Sequence, residues 1–471
     1  MRQFHYLAIF GMFLFVCGRV DADVKLPAIF ADHMVLQAEA RIPLWGSAEP
    51  GEQIVVMAAG QKRSATADDK GKWRVSLDPI KVSEPIEITV AGRNAIVLKD
   101  VLVGEVWLCS GQSNMGFMLK TASNAADAIK AADHPKIRLF KIHDAYKDVP
   151  QEDLEGTWQI CSSESVPEFS AVAYFFGAEL HAALKQPVGL IESEWGGTRA
   201  EAWLPKATFD ALKLPYEPQW TQLWLHPQPD AKTKAPGKVR PYEAPSTIYN
   251  AMIAPIAGYA MRGVVWYQGE TNTAYPEKYS DVLSALITSW RGAWGQGDLP
   301  VLVVQLPNFE SGTRNWVALR ASQEKVAKSL PNVGMAVTID VGNPKNIHPT
   351  NKQPVGHRLA VLAEKMVYGK DVPDAGPTFQ SMDVSGAAAT IHYDHVEGGL
   401  VAKGELQGFE IAGDDGKFVP ATAKIDGDTV IVTAEGVSSP TMVRYGWTNN
   451  PTCTLYNKVD LPAAPFEAKA K

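Results

Sequence analysis

Residues 101–115 read VLVGEVWLCSGQSNM, and this stretch decides the fold. Its first part is an almost continuous apolar run, the text of a strand buried on both faces inside a parallel sheet. Its last part, Gly111-Gln112-Ser113-Asn114-Met115, is a polar, glycine-assisted turn. A turn at the carboxyl end of a central strand opens where α/β proteins place their ligands.

On the C-terminal side the text alternates. Strand-like segments are PVGLIES, GVVWYQG, PVLVVQL and GMAVTID; helix-like segments span 170–184 and 279–294. Such alternation predicts parallel βαβ units, an α/β body with helices on both faces of its sheet. A Pro-rich, weakly periodic stretch at about 205–255 predicts a long surface excursion from that body. On the N-terminal side, short apolar runs (41–45, 54–57, KGKWRVSL, IEITVAGRNAIVL) recur about every ten residues between turn signals, the rhythm of a β-sandwich. After about Pro373 that rhythm returns in ATIHYDH, GFEIAG, DTVIVTA and TMVRYGW. The expected organisation is an N-terminal β-domain at 23–100, an α/β body at 101–372 and a C-terminal β-rich module at 373–471.

Residues 1–22 read as a signal peptide. Arg2 precedes an apolar run at 7–16, and Val20, Asp21 and Ala22 offer the small-residue pattern of a cleavage site. The run is shorter than the roughly 20 apolar residues that a spanning helix needs, so export to the periplasm or beyond is expected, with no membrane span. Cys109, Cys161 and Cys453 follow the leader without any C-x-x-C spacing, which writes neither a zinc cluster nor a disulfide framework.

The chain has 471 residues, 46% hydrophobic and 21% charged, too long for one small module and too apolar for disorder. Its formal charge of −7 provides no basic surplus for phosphates and argues against a nucleic-acid partner.

Four stretches carry candidate chemistry. Ser113 sits where a nucleophile belongs, although Met115 departs from the G-x-S-x-G elbow. IESEWGGTRAEAW brings Gly196 and Gly197 to a second strand end, where backbone N–H groups can approach an oxyanion. GVVWYQGETN delivers Gln268, an amide that can donate to an oxyanion, and Glu270. NPKNIHPTNKQPVGHRLA places His348, a possible general base, in a loop before an amphipathic helix. Nucleophile, base and two donor types at successive strand ends are what acyl transfer requires.

The chain resembles SGNH-type hydrolases of the sialate O-acetylesterase family. The likeness rests on MVLQ (34–37), PLWGSAEPGE (43–52), GKWRVSL (71–77), VGEVWLCSGQSNM (103–115), FSAVAYFFGAEL (169–180), GLIESEWGGTRAEAW (189–203), IYNAMIAPI (248–256), WYQGETN (266–272) and IHPTNK (347–352), with GFEIAG and VRYGW near the end. The resemblance implies a cofactor-free, metal-independent carbohydrate esterase acting on an O-acetylated carbohydrate. In it Ser113 is the nucleophile, His348 the base, and the N–H groups of Ser113 and Gly197 with the Gln268 side chain the oxyanion hole. Family members often carry an acid shortly before the histidine, where this chain has Lys345 and Asn346. Asp340, Glu270 and Asn346 are therefore candidates for orienting His348, and Arg199 for meeting a substrate carboxylate. Acetylated plant polysaccharides as substrate, and a noncatalytic glycan-binding protein, are the alternatives.

Overall fold

A computed structural model of the chain describes residues 23–214, 241–312 and 314–470. The expected signal peptide at 1–22 and the middle of the Pro-rich stretch lie outside the described residues.

The strand opened by the quoted stretch is 17 residues long, β1 (Ala95–Gly111). Its first six residues alternate in exposure and every residue from Val101 is buried, so one strand serves two environments. The outer part pairs antiparallel with Ser83–Ala91, while the inner part is flanked by parallel neighbours on both edges. The boundary expected between residues 100 and 101 falls inside this strand, where sandwich and body share one 11-stranded sheet.

The body adds β2 (His134–Ile142), β3 (Gly156–Cys161), β4 (Val188–Glu194), β5 (Gly263–Tyr267), β6 (Val301–Val304) and β7 (Val333–Ala336) in the order β7-β6-β5-β1-β4-β2-β3. All of these pairs are parallel except β2 with β3. Every residue of β5 and β6 is buried. Because successive strand residues face opposite ways, both faces of the sheet are covered.

The helices are α1 (Ala125–Lys130), α2 (Ala171–Leu184), α3 (Lys206–Leu212), α4 (Pro276–Trp294), α5 (Trp316–Ser329) and α6 (Gln353–Met366). Ser170 caps α2 by accepting from the Ala173 N–H, and Pro276 opens α4 at a position that needs no donor. α2 packs on α6 and α4 on α5. Gly356 permits the α2–α6 contact, since a Cβ there would lie 2.4 Å from Phe175 Cβ and 2.8 Å from the Phe176 backbone nitrogen.

One expectation needs correcting. The closing part of the supposed surface excursion is interior: Ile248, Met252, Ile253 and Ile256 are all at most 1% exposed. Their 4-, 5- and 8-residue offsets describe a helical face, obscured in the sequence by the polar, Pro-rich text before them.

The C-terminal module has its own core of Ile391, Val430, Val432, Ile411, Val443 and Tyr445 between two four-stranded antiparallel sheets. Cys109, Cys161 and Cys453 are free thiols. Among the described residues no helix is long and apolar enough to cross a membrane.

Candidate active site

The chain fills one side of β1 with β2, β3 and β4, then crosses to the other with β5, β6 and β7, so strand order reverses beside β1. A crevice at the carboxyl ends of the strands is expected at such a point. Gly111 ends β1 with φ 145°, and a Cβ there would lie 2.1 Å from the Tyr267 carbonyl oxygen, so only glycine fits over the end of β5. The Gln112 N–H donates to that same oxygen at 3.0 Å, and the Gln112 carbonyl accepts from Met115 (2.7 Å) and Gly116 (3.2 Å). This tight turn lifts Ser113 out of the sheet, partly exposed.

Ser113 Oγ lies 2.7 Å from His348 Nε2, across 235 residues of sequence. His348 sits in a loop shaped by two asparagines. Asn343 Oδ1 accepts from the Lys345 and Asn346 N–H groups, and Asn346 Oδ1 accepts from the His348 N–H at 2.9 Å. Asn346 thus fixes the histidine's backbone rather than its ring.

Asn114, fully buried, joins the serine turn to the histidine loop. Its Nδ2 donates to Glu270 Oε1 (2.5 Å) and to the Ile347 carbonyl (3.0 Å), while its Oδ1 accepts from Lys352 Nζ. Lys352 is itself fully buried between the rings of Phe117 (4.8 Å) and Tyr267 (5.4 Å). Burial pushes its ammonium down to about 7, with Glu270 opposing. Burial raises the Glu270 carboxyl, and the Asn114 hydrogen bond opposes it. The His348 imidazole is held below its ordinary value by burial and by the Lys352 charge, so it is neutral and basic at neutral pH.

Neither carboxylate considered for orienting His348 reaches the ring. Glu270 is spent on Asn114. Asp340 forms a two-pronged pair with Arg358 (2.6 and 2.7 Å) and accepts from Tyr456 Oη at 3.0 Å, joining α6 to the C-terminal module. Among the described residues no hydrogen bond reaches His348 Nδ1, so serine and histidine stand as a pair.

The glycine loop passes over the serine. A Cβ on Gly196 would lie 3.3 Å from Ser113 Cβ, and Gly197 has φ 75°. The Ser113 and Gly197 N–H groups donate to no partner among the described residues, leaving two unengaged donors on the serine turn and the glycine loop that passes over it. Gln268 is fully buried and its amide is engaged: Nε2 donates to the Thr198 carbonyl (3.1 Å) and Asn272 Oδ1 (2.7 Å), and Oε1 accepts from Tyr279 Oη (2.8 Å). Asn272 in turn accepts from the Ala200 N–H (3.0 Å) and donates to Glu201 (2.8 Å). Gln268 and Asn272 therefore brace the glycine loop. Arg199 lies, partly exposed, just before the short turn Ala200–Trp203.

Sequence reading missed Asn114 and Lys352 as site residues. Asn114 adjoins Ser113 in the quoted stretch, which is a usable signal; nothing in IHPTNK announces a buried lysine.

Residues 103–365 match the family model described as carbohydrate esterase, sialic acid-specific acetylesterase. The chain is similar to the sialate O-acetylesterase of Mus musculus, 30% identical with 98% of each chain covered, and to that of Homo sapiens, 31% identical over 92% of this chain and 90% of the relative. It is also similar to a solved carbohydrate acetylesterase from Xanthomonas citri, 38% identical with a TM-score of 0.85, covering 95% of this chain and all of that one. A serine–histidine contact at the switch point of an α/β sheet, and likeness along nearly the whole length, lead to one conclusion: the chain is a carboxylic ester hydrolase and belongs to the sialic acid-specific acetylesterase family of carbohydrate esterases.

Proposed function

We propose that this protein is an exported serine esterase that removes O-acetyl groups from glycans, O-acetylated sialic acids foremost, through an acetyl-enzyme on Ser113. The observation that carries this reading is the 2.7 Å contact of Ser113 Oγ with His348 Nε2, supported by unengaged backbone donors at Ser113 and in the glycine loop.

In the first step neutral His348 takes the Ser113 proton as Oγ bonds to the acetyl carbon. The negative charge collecting on the carbonyl oxygen is met by the Ser113 and Gly197 N–H groups. Gln268 joins as a third donor if it exchanges its bond to the Thr198 carbonyl for the oxyanion; in the resting state it holds the loop that presents Gly197. His348 then gives the proton to the departing sugar oxygen. In the second step His348 takes a proton from water, whose oxygen attacks the acetyl carbon; acetate leaves and the proton returns to Ser113.

The roles of Asn114, Glu270 and Lys352 are positional: they fix the serine turn against the histidine loop. Arg199 is the candidate for a substrate carboxylate. Export rests on the apolar run at 7–16 and the small residues before position 23. The likeness to a relative described only as a carbohydrate acetylesterase favours a second reading, in which the substrate is another acetylated polysaccharide such as xylan or pectin.

Acetate release from an O-acetylated sialoglycan and from acetylated xylan, each with wild type and Ser113→Ala, tests both. Serine-dependent release identifies the reaction, and the preferred glycan identifies the class. Turnover that survives Ser113→Ala removes the serine from its role; silence on both glycans favours a noncatalytic glycan-binding protein.

A further inference from the structure

At its end β4 leaves its last residue, Glu194, and then Trp195, Gly196 and Gly197 all partly exposed at the mouth of the site. The Trp195 backbone N–H donates to the Gly111 carbonyl at 3.2 Å, which pins the main chain that carries the indole to the end of β1. The next residue, Gly196, lies against Ser113. The Trp195 ring stacks on Tyr242, with centroids 4.4 Å apart and planes within 17°, and Tyr146 stands 6.3 Å away at 51°. Tyr146 is 46% exposed and is the only aromatic ring among the strongly exposed large hydrophobic side chains of the described residues.

The three rings are held from behind. The segment carrying Tyr146 is strapped to the one after Tyr242 by Lys147 N–H to the Thr247 carbonyl (3.0 Å), Gln151 N–H to the Asn250 carbonyl (2.8 Å) and Asn250 Nδ2 to the Lys147 carbonyl (3.1 Å). The residue before Trp195 brings a polar group to the serine turn. The Glu194 carboxyl fills the space above Gly116 in the serine turn, where a Cβ would lie 2.0 Å from it, and it makes no hydrogen bond among the described residues. A fixed aromatic shelf, with an unengaged carboxyl on the residue that precedes Trp195, matches a sugar ring: the ring's C–H face, positively polarised, lies on the negative face of an aromatic, and its hydroxyls need polar partners.

We propose that Tyr146, with Trp195 and Tyr242 behind it, forms a sugar-stacking subsite that receives the pyranose ring whose acetyl group is presented to Ser113, and that Glu194 hydrogen-bonds a hydroxyl of that ring. This deepens the esterase reading and rests on it. The subsite is specific to the sugar, so it acts on a glycan ester and leaves a small ester without a sugar untouched.

The test compares two substrates in wild type, Tyr146→Ala and Tyr146→Phe: p-nitrophenyl acetate, and the acetylated glycan that wild type turns over. Tyr146 is exposed, so its truncation leaves the fold intact, which circular dichroism and Tm check. Tyr146→Ala raises KM for the glycan about tenfold, the size of one lost ring contact, changes kcat/KM for p-nitrophenyl acetate less than about twofold, and Tyr146→Phe restores the glycan KM. An unchanged glycan KM in Tyr146→Ala overturns the subsite, as does an equal loss on both substrates. Ser113→Ala, run on p-nitrophenyl acetate, reports separately on the underlying esterase reading.

Discussion

Lys352 is the residue whose charge sets the working range of His348. Its ammonium is buried, titrates near 7, and lowers the imidazole's affinity for a proton. Below pH about 7 the lysine is charged, which is where the acid limb of activity falls, because only neutral His348 can accept the serine proton. Lys352→Met removes that charge, so the His348 pKa rises and the acid limb of kcat/KM moves to higher pH; a limb that stays in place removes Lys352 from this role. Glu194 governs the opposite side. Burial, with Glu192 and Asp144 adding repulsion and Lys141 opposing, pushes its carboxyl up to about 8. Below that pH it is neutral and can donate to a hydroxyl; above it the charge repels an anionic sugar. KM for an O-acetylated sialoside is therefore expected to rise above pH 8, and Glu194→Gln should flatten that rise while leaving the acid limb alone. Gln268→Ala is expected to lower kcat by roughly 10²-fold, whether the amide meets the oxyanion or secures the loop carrying Gly197. Gln268→Glu keeps the bulk and can still accept from Tyr279 but loses the donors that both roles use, so it should lower kcat as Gln268→Ala does; an unchanged kcat in both variants would remove the amide from either role.

At the scale of elements, β4, β5, β6 and the inner part of β1 were readable because near-continuous burial leaves a continuous apolar text, and Ser113, Gly197 and Gln268 stood out because each follows a strand end, as His348 did from its loop before an amphipathic helix. The partners of His348 were not readable. Asp340 and Glu270 are near the right strand ends, yet a sequence does not say which of several donors a carboxylate will take, and Arg358 and Asn114 take them. Helix packing follows the same rule. Gly356 looks like an ordinary glycine in an amphipathic helix, and only the 2.8 Å approach of the Phe176 backbone explains it. Backbone cannot swing aside as a side-chain tip can, so Gly356→Val should cost about 2 kcal/mol in denaturant unfolding by overpacking the α2–α6 contact. An unchanged midpoint would show that the helices slide apart freely. Asp340→Ala strands Arg358, 8% exposed, beside an empty place and should cost about 3 kcal/mol or more. In that variant the acid limb of activity should not move, since Asp340 makes no contact with His348.

Across the whole molecule, the three-part text of the sequence describes two β-rich modules and an α/β body, but it conceals how firmly they are joined. The N-terminal sandwich shares β1 with the body, so its hydrogen-bond ladder continues into the strand that carries Ser113. The C-terminal module has a separate core, yet polar side chains of the body reach into it. Asp340 accepts from Tyr456, and Arg320, 2% exposed on α5, donates to the carbonyls of Gly446, Thr448 and Asn449. Burial lowers the Arg320 guanidinium to about 10, so its charge persists at neutral pH and the carbonyls are what compensate it. Cutting the chain after residue 372 would remove those carbonyls and the Tyr456 hydroxyl together, taking from Arg320 and Asp340 their partners across the junction and uncovering the surface they seal. The truncated protein is therefore expected to lose folded yield or to melt well below the intact chain, although none of its site residues lies beyond 372. Arg320→Met supplies the control that separates lost contact from lost charge. It removes the buried cation and retains apolar bulk, so truncating an Arg320→Met chain should lower Tm less than truncating the wild type. If the two truncations cost the same, the C-terminal module supports the body through its other contacts and the arginine clasp contributes nothing measurable.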